Sequence, residues 1–292
     1  MAVTQAHSVL AVGATLGEGP VWVEREQALW FVDIKGHRVH RFDPASGDHR
    51  SFDAPGQVGW VLPSDDGAFL AGLQAGVARF DPTTGSFDRI RDPEPHLPGN
   101  RLNDATVDVA GRLWFGTMDD GEAALSGRLW CHDAGTVRDG GLPPVAITNG
   151  PALSPDGATL YHTDTLGRVI HAVSVNDDGS LGPARVFAEI DPADGWPDGC
   201  VVDAEGHLWS GLWGGWRARR YDPTGQVAAE VRFPCANVTK IAFGGPDLRT
   251  AYATTARKGL DAAALAGQPL AGNLFAFDAG VAGLPGNIAR LG

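Results

Sequence analysis

A short pattern of two strands and a turn recurs six times along the chain, and this repetition restricts the fold more than any other feature. The first strand of each copy has an aromatic or β-branched centre, as in 28-ALWFVDI-34 and 206-GHLWSGLW-213. The equivalent positions are Leu29, Phe69, Leu113, Leu160, Leu208 and Ala251. Successive copies are therefore 40, 44, 47, 48 and 43 residues apart, and a period in the mid-forties is typical of one four-stranded blade of a β-propeller.

A second strand follows the first in every copy and ends in a turn, as in 76-GVARFDPTTG-85 and 217-RARRYDPTG-225. In D-P-x-x-G the proline presets φ for the turn, and the glycine accepts the positive φ that closes it. Helical character is confined to 259-GLDAAALAGQPLAG-272, which we interpret as an insertion in the last blade.

These repeats predict an all-β fold, a six-bladed β-propeller formed by residues 1–292 as a single domain. The N-terminal segment 8-SVLAVGA-14 precedes the first full repeat, and we expect it to complete the last blade and close the ring. An unpaired edge there would be a liability. Two β-sandwich domains are the alternative, but they do not explain the constant period or the missing linker.

Composition bears mainly on partners and compartment. The formal charge is 23 − 35 = −12, which disfavours nucleic acid and anionic membranes as partners. The sequence has no positively charged signal-peptide region and no apolar run of transmembrane length. Three widely spaced cysteines, Cys131, Cys200 and Cys235, form no disulfide framework. We therefore expect a cytoplasmic protein, monomeric by default.

Polar residues occupy a constant register, ten or eleven residues before the aligned positions, in the expected loop that enters each innermost strand. The residues at this register are Glu18, Gly59, Asn103, Asn149, Asp198 and Lys240, all polar except Gly59. Equivalent positions of a propeller converge on its axis. The oxygen-bearing side chains among these residues would therefore surround one small volume, and they are those of Glu18, Asn103, Asn149 and Asp198. Two carboxylates and two amide carbonyls suit Ca²⁺, Mg²⁺ or Mn²⁺, and with fewer ligands and an open position Zn²⁺ or Fe²⁺. Any one of them could instead cap a turn, but four in matching register favour a metal site.

Other catalytic motifs are absent from the sequence. There is no G-x-S-x-G elbow, H-E-x-x-H pair, P-loop or EF-hand loop. We expect His162, which lies on a predicted second strand, and Cys200, which lacks an evident histidine partner, to be structural. Trp213 and Trp216 either pack in the core or wall the mouth of the channel.

Several motifs together resemble the gluconolactonase/regucalcin (senescence marker protein) family of sugar lactonases, over nearly the whole chain. They include 16-LGEGPVW-22, 101-RLNDATVDVAGRLWFGTM-118, 148-TNGPALSPDG-157 and 197-PDGCVVDAEGHLW-209. Within that family, 254-TTARKGL-260 and its neighbours look most like bacterial xylonolactonases.

The resemblance implies one divalent cation and assigns roles to five residues. Glu18, Asn149 and Asp198 would be the metal ligands, and Asp198 would also be the catalytic acid/base. Arg101 and Asn103 would bind the substrate. Where relatives place acidic substrate-binding residues, this chain has 118-MDDGEAALSG-127, so that Asp120 or Glu122 could fill that role.

The resulting hypothesis is metal-dependent hydrolysis of a sugar-acid lactone, a pentonolactone such as xylonolactone, to the open-chain acid. Water attacks the carbonyl carbon, and the base is Asp198 or a hydroxide held by the metal. We expect the proline-rich loop 92-DPEPHLPGN-100 to cover part of the channel. The alternatives are a gluconolactonase and a calcium-binding regulatory protein without catalysis.

Overall fold

The computed structural model describes residues 4–290, and nearly all regular structure in that range is antiparallel β-sheet. Two short strands come first, β1 (Thr4–Gln5) and β2 (His7–Leu10). Six sheets follow, and the strands of the first three, from the innermost outward, are β3 (Gly17–Val23), β4 (Ala28–Asp33), β5 (Arg38–Phe42) and β6 (His49–Asp53); β7 (Val58–Pro63), β8 (Phe69–Leu73), β9 (Gly76–Asp81) and β10 (Ser86–Arg91); β11 (Asn100–Val107), β12 (Leu113–Asp119), β13 (Leu129–Asp133) and β14 (Thr136–Asp139).

The other three sheets repeat this order, and we number the sheets as blades 1 to 6. Their strands are β15 (Thr148–Leu153), β16 (Thr159–Asp164), β17 (Val169–Ser174) and β18 (Arg185–Glu189); β19 (Trp196–Val202), β20 (Leu208–Trp213), β21 (Arg217–Tyr221) and β22 (Val227–Arg232); β23 (Val238–Gly244), β24 (Thr250–Thr255) and β25 (Leu274–Asp278). The helices are two 3-10 turns, Glu24–Glu26 and Pro192–Asp194, and α1 (Ala262–Gly267). Among residues 4–290, no helix has the length and apolarity of a membrane span.

The predicted six-bladed propeller and its strands are confirmed. The aromatic segments of the repeat form the second strand of each blade, and the segments that end in turns form the third. The predicted helical insertion lies between β24 and β25 of the last blade.

Large side chains fill the space between neighbouring blades. Between blades 1 and 2, the rings of Trp30 and Phe69 lie 4.5 Å apart, and both side chains are fully buried. Between blades 4 and 5, Phe187 and Tyr221 meet edge to face at 6.3 Å. Polar bonds join inner strands across blade boundaries: Thr239 Oγ1 donates to Gly17 O at 2.7 Å, linking blade 6 to blade 1.

The N-terminal segment contacts two blades. Residues Thr4–Gln5 pair in parallel with Val231–Arg232 in blade 5. Residues His7–Leu10 pair antiparallel with β25 and are the fourth strand of blade 6. The expected strand over residues 8–14 is too long, because Gly13 adopts a positive φ of 64° that a strand does not accommodate.

The polar positions of constant register lie within the innermost strands and not, as expected, in the loops that enter them. The ladder between the first and second strands breaks its register in every blade. The breaks are at Glu18/Val21, Val58/Trp60, Leu102/Ala105, Asn149/Ala152, Pro197/Cys200 and Val238/Ile241. A β-bulge re-aims side chains, which explains how residues inside a paired strand can face the channel.

Candidate active site

A cavity of about 330 Å³ opens at one end of the propeller axis. All five residues predicted to bind metal or substrate line it: Glu18, Arg101, Asn103, Asn149 and Asp198. Each is also buried from solvent. The two other residues of that register do not line it. Gly59 has no side chain to contribute, and Lys240 lines a second cavity of about 340 Å³ together with Pro285 and Asn287.

Two carboxylates, Glu18 and Asp198, are buried in the cavity, where neighbouring negative charges disturb their ionisation. Burial, reinforced by the charge of Asp104, raises the pKa of Glu18 to about 8, although the Gly19 amide that donates to its Oε2 at 2.8 Å opposes the shift. Burial and the charges of Glu18 and Asp104 likewise raise the pKa of Asp198. Within residues 4–290, neither carboxylate has an ion-pair partner within 4.0 Å.

A chain of hydrogen bonds orients the amides beside these carboxylates. Arg101 Nη1 donates to Asn103 Oδ1 at 2.6 Å, and Asn103 Nδ2 donates to Asn149 Oδ1 at 2.8 Å. Asn149 Nδ2 in turn donates to Thr165 Oγ1 at 3.0 Å. Asn103 Nδ2 also donates to the carbonyl of Thr148 at 2.7 Å, which ties blade 3 to blade 4 at the site. The amide orientations therefore follow from one connected network.

Arg101 is held by Asp120. Its Nε donates to Asp120 Oδ1 at 2.9 Å, and with 2% exposure it is no surface salt bridge. Lys35 and Gln57 also donate to Asp120, at 2.6 and 3.0 Å. Burial opposes ionisation of Asp120, but these hydrogen bonds and the charge of Arg101 outweigh it and lower its pKa to about 2. Asp120 is thus engaged by three blades, whereas Glu122 lines the cavity.

Sequence analysis missed the ion pair of Asp104 and Lys240. Lys240 Nζ donates to Asp104 Oδ1 at 2.5 Å, and Asp104 Oδ2 accepts from the Gly150 amide at 3.0 Å. The sequence did contain an indication of this pair. Lys240 occupies the same register as four residues with ligand-type side chains, and a lysine buried among them requires a counter-charge. Asp104, directly after Asn103 in the bulge, supplies it.

The outer part of the cavity contains further residues that the repeat pattern did not identify. Trp196 and Leu166 line it and are partly exposed, and the guanidinium of Arg168 lies 4.1 Å from the ring centre of Trp196. Lys258 lines it from the loop after β24. Of the two tryptophans singled out from sequence, Trp213 lines the cavity and Trp216 does not.

The proline-rich loop does not cover the channel as expected. Its Glu94 turns inward and accepts hydrogen bonds from Asn100 at 2.8 Å and from Thr117 at 2.8 Å. This carboxylate fastens the loop against blade 3, where it borders a separate surface groove. Trp130 Nε1 is a third donor to Glu94, at 3.1 Å, and a buried carboxylate with three side-chain donors explains why the loop packs on its own blade.

The residues of the cavity fit a divalent cation in their chemistry. Two buried carboxylates with raised pKa values are a costly arrangement without a counter-charge. Glu18, Asp198 and the Asn149 amide oxygen are hard-oxygen donors, as such a cation requires. Among residues 4–290, no three His, Cys, Asp or Glu side chains form a metal-binding group by themselves. A candidate set of three metal ligands therefore needs the amide oxygen of Asn149 in addition to the two carboxylates.

Comparison with known proteins agrees with this architecture. The profile of the SMP-30/Gluconolactonase/LRE-like region matches residues 16–257. The chain is 37% identical to an L-arabinolactonase of Azospirillum brasilense over 274 residues, covering 92% of this chain and 90% of the relative. It is 35% identical to a 6-deoxy-6-sulfogluconolactonase of Pseudomonas putida over 271 residues, covering 92% and 93%.

A solved structure shares the whole fold. The crystal structure of a calcium-binding protein, regucalcin, from Agrobacterium tumefaciens strain C58 superposes with a TM-score of 0.94 at 30% identity, covering 99% of this chain and 98% of that one. The profile match spans more than half of the chain, and both enzyme relatives align over nine-tenths of it. This protein therefore belongs to the SMP-30/gluconolactonase/LRE-like family.

Proposed function

We propose that this protein is a hydrolase that opens a sugar-acid lactone to the corresponding open-chain aldonic acid, using one divalent metal ion. The observation that carries the proposal is the composition of the cavity. Two buried carboxylates without an ion-pair partner, Glu18 and Asp198, share it with the hydrogen-bonded series Arg101, Asn103 and Asn149. Named lactonases of similar sequence support the same reaction.

Glu18, Asn149 and Asp198 would hold the cation, whose identity among Ca²⁺, Zn²⁺, Mn²⁺ and Fe²⁺ is left to experiment. When bound, the ion would supply Lewis-acid polarisation of the lactone carbonyl. Asp198 accepts a proton from the attacking water as its oxygen bonds to the carbonyl carbon. The bond from that carbon to the ring oxygen then breaks, and Asp198 returns the proton to the departing oxygen. The products are a carboxylic acid and a free hydroxyl.

Arg101 and Asn103 position the substrate. Arg101 has five N–H donors, of which Asp120, the Leu102 carbonyl and Asn103 use three. The remaining donors are available to a substrate hydroxyl or carbonyl oxygen. Because the guanidinium is buried and held on both sides, little conformational entropy is lost when it binds.

The substrate we propose is a pentonolactone such as xylonolactone, with gluconolactone as the alternative. The similarity to an L-arabinolactonase favours a five-carbon lactone. The relative named for a sulfonated lactone raises the question of an anionic substrate, but both cations of this cavity, Arg101 and Lys258, are paired with carboxylates. We also propose a cytoplasmic monomer, which accords with three free, buried cysteines.

Proton release in weak buffer, corrected for spontaneous opening, tests this function on xylonolactone, arabinonolactone, gluconolactone and galactonolactone. Each lactone is assayed before and after chelation and with single metals added back. We expect metal-dependent acceleration, greatest for a pentonolactone. In Asp198→Asn, which keeps the side-chain volume but removes the base, kcat should fall by about 10²–10⁴-fold. Undiminished turnover in Asp198→Asn would rule out this role.

A calcium-binding protein without catalysis is the second candidate, and similarity to the calcium-binding regucalcin of Agrobacterium tumefaciens favours it. Such a protein would need Glu18, Asn149 and Asp198 but not the oriented Arg101. Tight metal binding by calorimetry, with no acceleration of any lactone by any metal, would establish this second candidate in place of the first.

A further inference from the structure

An ion pair spans the outer part of the cavity. Glu122 and Lys258 both line it, and their side chains form a salt bridge between the loop after β12 and the loop after β24. Those loops belong to blades 3 and 6, which are opposite one another in a six-membered ring. Side-chain exposures of 38% and 29% place the pair at the solvent end of the cavity, whose carboxylate floor is buried.

The backbone on both sides of this pair is firmly held. Asp119 accepts hydrogen bonds from the amides of Ala123 and Ala124, at 3.0 and 2.8 Å, and this turn fixes Glu122 at a positive φ of 59°. Across the cavity, the Lys258 amide donates to Thr15 O at 2.8 Å, and its carbonyl accepts from Asn237 Nδ2 at 3.0 Å. The loops that carry Glu122 and Lys258 are therefore held in place by backbone hydrogen bonds on both sides of the cavity.

The pair also sets the charge balance of the site. Among the described residues that line the cavity, the charged side chains are Glu18, Arg101, Glu122, Asp198 and Lys258. Arg101 is paired with Asp120, which Lys35 also contacts, and Lys258 is paired with Glu122. An anionic substituent that approaches Lys258 would thus meet an ammonium whose charge Glu122 already compensates. A substituent with hydroxyls would meet both an acceptor and a donor, since a carboxylate accepts hydrogen bonds and an ammonium donates them.

We propose that Glu122 and Lys258 are specificity-determining residues that act as a charge filter. By neutralising Lys258, Glu122 makes the site select lactones whose exocyclic end carries uncharged hydroxyls over lactones that carry a phosphate or sulfonate there. The inference rests on the proposed function, because it places the lactone carbonyl at the carboxylate floor and hence the exocyclic end at the mouth.

The test compares gluconolactone with the same lactone carrying a 6-phosphate, in the wild type, Glu122→Gln and the double variant Glu122→Gln/Lys258→Met. We expect the wild type to prefer the neutral lactone in kcat/KM. Glu122→Gln frees the ammonium, so the ratio of phosphorylated to neutral kcat/KM should rise about fivefold, the effect of one unpaired charge at a partly exposed site. The double variant should return the ratio to its wild-type value.

Glu205→Gln is the matched control, because Glu205 pairs with Arg220 at 2.7 Å on an exposed part of blade 5 outside the cavity. It should leave the ratio unchanged. A ratio in Glu122→Gln within twofold of the wild type, or a rise that persists in the double variant, would overturn the proposal.

Calorimetric binding of gluconate and 6-phosphogluconate to the same proteins keeps this test separate from catalysis. If no lactone is hydrolysed by the wild type with any metal, the proposed function fails. The charge filter is then judged by binding alone, where Glu122→Gln should favour 6-phosphogluconate and the double variant should not. Equal preferences in all three proteins would contradict it.

Discussion

At the residue scale, Asp120 holds Arg101, the proposed substrate-binding residue, without itself lining the cavity. It connects Lys35 of blade 1, Gln57 at the start of blade 2 and Arg101 of blade 3, and so determines where the guanidinium lies. A buried arginine that loses its carboxylate keeps its charge but loses its fixed position. Asp120 is therefore a positioning residue and acts through Arg101.

In Asp120→Asn we expect KM to rise about tenfold with kcat within a few-fold of the wild type, because one charge-assisted hydrogen bond contributes roughly 1.5–3 kcal/mol and this site is partly exposed. Steady-state kinetics on the preferred lactone measure the two constants separately. Asp53→Asn, which removes a carboxylate paired with Arg38 on the outer surface, is the control and should leave both unchanged. A loss confined to kcat would contradict a role in substrate binding.

His162 gives the protein an acid sensitivity that is independent of the cavity. The side chain is 3% exposed in β16, and burial, with His171 nearby, lowers its pKa from 6.5 to about 4. Between those values the unfolded chain binds this proton and the folded chain does not. The free energy of unfolding therefore falls as the pH drops from 6.5 to 4, by about 3 kcal/mol for this residue.

The variant His162→Leu should lose that contribution, so its stability should decline by about 3 kcal/mol less than the wild type over the same pH interval. Urea denaturation at several pH values measures the difference. The exposed His96, changed to leucine, serves as control and should follow the wild type. Parallel pH curves for the wild type and His162→Leu would show that another group is responsible.

At the scale of elements, the β-bulge in an innermost strand directs a side chain of that strand into the channel, where the candidate site lies. In blade 4 it contains Gly150, whose φ is +44° and where an added Cβ would lie 2.6 Å from the Cys200 amide nitrogen. The same residue donates its amide to Asp104. The bulge next to Asn149 therefore depends on a residue without a side chain.

Gly150→Ala should lower the free energy of unfolding by about 2 kcal/mol or more, from the left-handed backbone and the close contact together. It should also weaken divalent metal binding, because Asn149 is displaced with the bulge. Gly56→Ala is the matched control, since a Cβ added there would meet nothing within 4 Å and its φ is not positive. Thermal melts and metal titrations compare the two variants. Unchanged stability and unchanged metal binding in Gly150→Ala would refute the role of the bulge.

Repetition explains both what could be predicted and what could not. Glu18, Asn103, Asn149 and Asp198 were found because a constant number of residues separates each from the second strand of its blade. The bulges themselves were invisible, since an extra strand residue leaves the hydrophobic pattern nearly unchanged. Residues at the mouth, such as Trp196 and Lys258, lie at or beside loops whose lengths differ between blades, so no register identifies them.

At the scale of the molecule, blade 6 takes its fourth strand from the other end of the chain. Strand β2 pairs with β25, and Asn273 Nδ2 donates to Ser8 Oγ at 3.0 Å. Val9 and Leu10 pack against the cluster that contains Trp22 of blade 1 and Tyr252 of blade 6. The neighbouring β1 adds only two residues at the edge of blade 5.

Two truncations distinguish these strands. Deleting residues 1–6 removes β1 and should lower the free energy of unfolding by about 1 kcal/mol. Deleting residues 1–10 also removes β2, exposes the edge of β25 and takes the aliphatic side chains of Val9 and Leu10 away from their cluster, so the loss should be about 3 kcal/mol or more. The longer deletion should also aggregate as its concentration rises, because a free β-edge pairs with other chains. Denaturant melts and light scattering measure both effects. Since blades 6 and 1 meet through Thr239 and Gly17 on the inner side, the ring retains that contact without β2. Equal stability of the two truncations would mean that the inner contact alone holds the ring closed.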